Sequence, residues 1–424
     1  MSYKTEEIKE GIKLHHIYTN KFKTNLIAVF MTMPLLRETV TLETLIPSVL
    51  RRGTTQFDTQ EKISIKLEGM YGAAFDCGVE KIGDNHVVKF YLETLNDSFI
   101  SSSENLLKEG IELLLSIVFD PLVKDNKFAE EYVASEINNI RQLIEAKIDN
   151  KEIYSLTRCT EEMYKGENYG LYKYGYVEDL ENITSDSLYQ FYNKLLNESK
   201  IDIFISGDVE QEKASKILKE NKNVCKLRDR KNISIINNEE TEKKEKVETN
   251  EISEKMDVGQ GKLVLGLDIH LNEKDSKFPI SIYNVILGDS ATSKLFQNVR
   301  ERLSLAYSIR SNYVRQKNNI YIRSGIEIEN YSKAIEVIKE QLEAIRNGDF
   351  TEKSLEDAKK YMISGINSVE DEQDSEITYY VGQELCGSLT TFSEYVDKIN
   401  DVTMEDVKRV AEAIEINTIY FLKN

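Results

Sequence analysis

The chain has 424 residues, 40% of them hydrophobic and 30% charged, with a formal net charge of −18. That length exceeds one ordinary core and predicts two or more domains, while so acidic a chain repels phosphate and argues against non-specific nucleic-acid binding. Four cysteines (Cys77, Cys159, Cys225 and Cys386) lie far apart without a C-x-x-C pair, so they read as reduced, mostly buried thiols and not as a zinc knuckle or disulfide framework.

In chain order, the apolar run Asn25-Leu26-Ile27-Ala28-Val29-Phe30-Met31 predicts a strand, and Leu42, Leu45, Ile46, Val49 and Leu50 then recur at helical spacing. A second helix is expected over 60–70, closed by Gly72, and a strand over 86–92. Long helices follow over 105–119 and 130–148, and a strand over 201–208 ends this half. From Asn237 to Val258 apolar residues nearly vanish and charges of both signs crowd together, so this segment reads as an exposed connector, with a solvated helix as the alternative. The second half repeats the rhythm. Strands are expected over 262–269, 305–313, 319–325 and 418–422, and helices over 278–287, 293–303, 331–347 and 352–369. Thr403 with Asp406 forms a capping-box signature for one more helix. The predicted class is α+β: two halves of similar layout, 1–236 and 259–424 about the 237–258 connector, each a largely antiparallel sheet with helices on one face.

The N-terminus from Met1 to Glu7 is polar, with no apolar signal region. No run approaches ~18 consecutive apolar residues, so no membrane span is expected and a cytoplasmic location is. Glycine-rich phosphate loops and G-x-S-x-G are absent. The four histidines, His15, His16, His86 and His270, include no i, i+4 pair, so no histidine-based zinc centre is expected in this chain.

The stretch Leu45-Ile46-Pro47-Ser48-Val49-Leu50-Arg51-Arg52-Gly53-Thr54 has no histidine and no carboxylate. Its outline nevertheless resembles the zinc helix of the pitrilysin/insulinase-like zinc peptidases, the processing-peptidase branch in particular. Their H-x-x-E-H motif is followed by a short apolar stretch, a basic residue and Gly-Thr. Aligned on Leu50–Thr54, this chain places Thr44, Pro47 and Ser48 at the His, Glu and His positions. Zinc chemistry there needs two imidazoles one turn apart and a carboxylate base; hydroxyls ligate poorly and a proline offers no base. The resemblance puts Glu136 at the family's third-ligand position and Ala129 where a further acid stands. Alone, Glu136 cannot fix zinc, and the other role open to it is a helix-face carboxylate paired with a nearby Lys or Arg.

Further on, Ser293-Lys294-Leu295-Phe296-Gln297-Asn298-Val299-Arg300-Glu301-Arg302 leads into Leu303-Ser304-Leu305-Ala306-Tyr307-Ser308. This resembles the family segment whose Arg, with a Tyr seven residues later, grips the substrate backbone and supports the developing oxyanion. A permanently charged guanidinium and a phenol donor suit that task. Ser304 departs from the family's common Gly, and Leu305, Tyr307 and Ile309 are expected to share one strand face. Tyr71–Cys77 resembles the family's strand beside the active site, with Asp76 and Cys77 in place of the usual Asn and Ala.

The resemblance implies a non-zinc subunit of a heterodimeric metallopeptidase. This chain would bind no cofactor and be inactive alone, while a homologous partner supplies zinc and base. Arg300 and Tyr307 would hold the peptide substrate, and neither nucleic acid nor membrane would be a partner. The alternative is a catalytically inactive peptide-binding or scaffolding homologue. An independent metallopeptidase lacks the clustered ligands it would need.

Overall fold

The computed structural model describes residues 2–100, 104–230, 233, 235–236, 248–271 and 275–424. The chain folds into two compact units, one of Met1–Ala146, Leu171–Ile236 and Gln373–Val381, the other of Lys147–Gly170, Asn237–Glu372 and Gly382–Asn424. Each is an α+β layer structure.

In the first unit the strands β1 (Ser2–Lys9), β2 (Ile12–Tyr18), β3 (Thr24–Pro34), β4 (Ala74–Ile82), β5 (Asn85–Leu95) and β8 (Lys200–Gly207) form one sheet in the order β1-β2-β8-β3-β5-β4; β6 (Val123–Lys124) and β7 (Lys127–Phe128) make a separate hairpin. All pairings are antiparallel except β2 with β8. Helices α1 (Val40–Leu50), α2 (Gln60–Gly69), α3 (Leu106–Phe119) and α4 (Glu130–Glu145) pack with the sheet through a core that includes Ile27, Val29, Met31, Leu45, Val88 and Leu114. The sheet is covered on its other face too. Tyr380 stacks on Tyr3 at 3.9 Å, and Gln373 donates to the Ser206 carbonyl at 3.0 Å.

The second unit contains β9 (Asn250–Lys255), β10 (Gly261–Ile269), β11 (Ala306–Val314), β12 (Asn319–Ile326) and β13 (Ile414–Lys423), ordered β11-β12-β10-β13-β9. Only β9 and β13 run parallel. Leu263, Leu265 and Leu267 of β10 face the main helical layer, whereas Val264 meets α5 (Lys151–Met163) and its Cys159 and Met163. Because both faces are buried, β3, β8 and β10 read as continuous apolar runs and not as alternating ones.

Three features depart from the sequence reading. Asn250–Lys255, assigned by composition to the 237–258 connector, is an edge strand on which Glu251 and Lys255 are exposed while Ile252 and Glu254 are half-buried, Glu254 accepting from Tyr154 and Tyr420. Residues 237–247 of that segment lie outside the described residues. Residues 147–170 belong to the second unit although they precede the predicted boundary, because α5 buries its apolar face on β10 and β13. The third departure is at Tyr307 and is described with the site. The Thr403–Asp406 capping box forms as expected, with Asp406 N–H donating to Thr403 Oγ1 at 3.2 Å.

Candidate functional site

Helix α1 is held by Val40, Leu45, Ile46, Val49 and Leu50, all buried. Pro47 sits inside it without ending it, although its missing N–H leaves no donor for the carbonyl one turn earlier. Thr44 is buried, and its hydroxyl donates to the Val40 carbonyl at 2.9 Å and approaches that of Lys173 at 3.1 Å. Ser48 is half-buried on the same helix. Beside Thr44 lies a carboxylate the motif comparison passed over. Glu43 is fully buried, accepts from Thr39 Oγ1 at 2.7 Å, and stands 2.9 Å from His86 Nδ1. His86 also reaches the Lys173 carbonyl through Nε2 at 2.9 Å.

Glu136 on α4 is buried, and Arg52 from just beyond α1 binds it: Nε donates to Oε1 at 2.5 Å and Nη2 contacts the same oxygen. Asn139 adds a bond to Oε2 at 3.1 Å. Cys77, on the edge strand β4, points at the Pro47 carbonyl at 3.4 Å, and burial pushes its thiol up to about 12.

These residues do not fit a zinc ion. The Thr44 hydroxyl is spent on backbone carbonyls, Pro47 carries no base, and the Glu136 carboxylate is engaged by a guanidinium. Among the described residues, no three or more His, Cys, Asp and Glu side chains gather closely enough to hold a metal.

In the second unit Arg300 lies in a π-helical segment, Phe296–Arg302, a wider winding often found at functional positions. Its guanidinium carbon is 4.6 Å from the Phe296 ring centroid, its Nε is 3.6 Å from Glu301, and its side chain is 42% exposed. The turn that follows requires Ser304 at φ +51°, a left-handed conformation that suits the glycine common in the family. Leu305 N–H then reaches back to the Val299 carbonyl at 2.9 Å.

Tyr307 does not share a face with Ile309. The β11–β12 register slips between Ala306 and Ser308, so Tyr307 is the extra residue of a β-bulge. Ile309 is buried, while Tyr307 is 59% exposed and its hydroxyl donates to Glu327. The period-two pattern carries no sign of an inserted residue, which is why sequence reasoning put both on one face. The structure groups Thr44, Pro47, Ser48 and Glu136 on neighbouring helices of the first unit, and Arg300 and Tyr307 on consecutive elements of the second.

Residues 182–362 match the family model described as "Peptidase M16 inactive domain". A Bacillus subtilis (strain 168) protein named "Probable inactive metalloprotease YmfF" is 32% identical, with 100% of this chain and 99% of that one aligned. Another from the same organism, "Uncharacterized zinc protease YmxG", is 22% identical over 84% of this chain and 79% of its own. A crystal structure of a conserved protein from Enterococcus faecalis V583 superimposes with a TM-score of 0.86 at 27% identity, covering 100% of this chain and 99% of that one.

Proposed function

Because this chain belongs to the M16 family of pitrilysin/insulinase-like peptidases and lacks their H-x-x-E-H zinc motif, we propose that it is a catalytically inactive homologue that binds peptides without cleaving them. The Arg52–Glu136 pair carries this reading. The one carboxylate left at a family ligand position is committed to a guanidinium, and the three positions on α1 offer two hydroxyls and a proline. The name of the YmfF relative points the same way. The edge strand β4 supplies a row of backbone groups on which an extended peptide can add as a further strand. The test incubates the purified chain with internally quenched peptides, with and without added zinc, and follows binding of labelled peptides by fluorescence polarisation. The expected result is saturable binding and no cleavage. Cleavage abolished by a chelator overturns the first half of the proposal, and absence of binding overturns the second.

A second reading makes the chain the non-zinc subunit of a heterodimeric peptidase. Two observations favour it: the exposure of Arg300 and Tyr307 beside each other in the chain's order of elements, and the presence in Bacillus subtilis of relatives named both inactive metalloprotease and zinc protease. Arg300 and Tyr307 would then hold the scissile peptide at the partner's site. Mixing with a zinc-bearing homologue should raise peptidase activity, and Arg300→Ala or Tyr307→Phe should lower that gain by about 10- to 1,000-fold. Rates unchanged by mixing, or by either substitution, leave the binding homologue as the function.

A further inference from the structure

The second unit contains a cavity of about 350 Å³ between α5 and its sheet, walled by Glu152 and Ser155 of α5, Lys262 of β10, Ser308 and Arg310 of β11, and Arg323 of β12. Its chemistry is unusual for a sheet surface. Arg310 and Arg323 are direct cross-strand partners, an arrangement of like charges that opposes strand pairing. A single carboxylate oxygen answers both: Arg310 Nη2 donates to Glu152 Oε1 at 2.8 Å, and Arg323 Nη1 lies 3.6 Å from the same atom. Lys262 instead turns to Gln260 at 2.5 Å.

Arg323 has a further unmet demand. Its Nη2 donates to Asn312 at 2.5 Å, yet its Nε is buried without a hydrogen-bond partner among the described residues. Burial, and then the neighbouring Arg310, pull its pKa below the usual arginine value, with Glu152 and Asp289 opposing the shift. Asp289 is the other carboxylate that both arginines feel, and burial raises its pKa. Arg310, Arg323 and Lys262 thus line the cavity with Glu152 as the one carboxylate among its walls, in a protein that is strongly acidic overall.

We propose that this cavity binds a small ligand through an oxyanion, a carboxylate or a phosphate, gripped by Arg310 and Arg323. The volume lies near the lower end of the roughly 300–1,000 Å³ typical of small-molecule sites, which suits a metabolite-sized acid better than a macromolecule. Guanidinium forks match the planar geometry of both oxyanions. The ligand would take over the unpaired Arg323 Nε and share Arg310 with Glu152. The inference stands independently of the peptide-binding proposal, since no residue invoked there is used here.

The test is isothermal titration calorimetry of the full chain with inorganic phosphate and, separately, with succinate, at matched ionic strength. Saturable binding of one anion per chain is expected, and the stronger of the two arms identifies the oxyanion. Arg310→Gln, at a half-exposed side chain, should weaken it about 10-fold or more, the effect of one lost charge-assisted bond. Glu152→Gln, which removes the competing carboxylate, should tighten it. Arg323→Lys keeps the charge but not the fork and should also weaken it, with circular dichroism confirming the fold. Failure of both anions to bind wild type and Glu152→Gln overturns the proposal, as does binding unaffected by Arg310→Gln.

Discussion

Replacing Arg52 by alanine strips Glu136 of two guanidinium contacts to Oε1 and leaves it the Asn139 amide at 3.1 Å. The carboxylate side chain is only 7% exposed, so water cannot readily take the place of the guanidinium, whereas Arg52 itself is 26% exposed. Breaking a fully buried pair costs about 3–5 kcal/mol and an exposed one about 0–1, which puts Arg52→Ala at about 2–3 kcal/mol. Glu136→Gln removes the charge along with the pairing and should cost about 1 kcal/mol, because no uncompensated anion remains. The double substitution should cost less than the sum, with a coupling of about 1.5 kcal/mol. Urea unfolding followed by circular dichroism resolves this, since slopes of about 1–3 kcal/mol/M turn the Arg52→Ala loss into a midpoint shift near 1 M. Additive single effects, or an Arg52→Ala protein within about 0.5 kcal/mol of wild type, would refute the claim that this guanidinium stabilises the orphaned ligand position.

The same packing has three further measurable consequences. Ser304→Gly relieves a left-handed backbone at φ +51° and should stabilise by about 0.5–1 kcal/mol in urea unfolding; a loss would mean the serine contributes more than its strain costs. Aromatic-disulfide labelling at pH 8 should modify exposed Cys225 first, with buried Cys159 and Cys386 and the high-pKa Cys77 protected until the chain unfolds, so more than one rapid thiol in the native protein contradicts the packing. Asp202 is fully buried; burial raises its pKa, but the bond from His15 at 2.8 Å and the charge of Lys200 outweigh this and leave it below 3.8. A depressed folded-state pKa stabilises above the unfolded value and loses that stabilisation as pH falls below it, so wild type should weaken below about pH 4 while Asp202→Asn, weaker at neutral pH, shows a shallower acid limb. Parallel pH profiles for the two would exclude Asp202 as a source of acid sensitivity.

The interior strands were the legible part of the fold. β3, β5, β8, β10 and β12 concentrate Ile, Leu, Val and Phe because most of their side chains are buried. The margins were not legible. β1 and β9 carry Thr-Glu-Glu and Asn-Glu-Ile-Ser-Glu-Lys, the composition of an edge that keeps other strands away, and composition alone cannot distinguish that from a solvated connector. Helix α5 posed a different problem. Its sequence position precedes the predicted boundary, but its apolar face finds its complement on β10 and β13, and chain order holds no record of that choice.

The site divides along the same physical line. Which atoms are missing was legible, because a hydroxyl or a proline at a ligand position is a fact of composition. That Glu136 would pair with a cation was legible too, but which cation was not, because partners lie far away in sequence: Arg52 with Glu136 across 84 residues, Glu43 with His86 across 43, and Arg310 against Arg323 through strand register. Glu43 and His86 show how such a replacement stabilises itself. A buried carboxylate beside a lost metal position would be costly alone, and it is retained here with a threonine hydroxyl, an imidazole and a shared carbonyl that also receives Thr44. Restoring histidine at Thr44 would therefore do more than add a ligand. It would displace a hydroxyl from the Lys173 carbonyl, the same acceptor that His86 uses, so the former metal position and the polar core beside it now constrain each other.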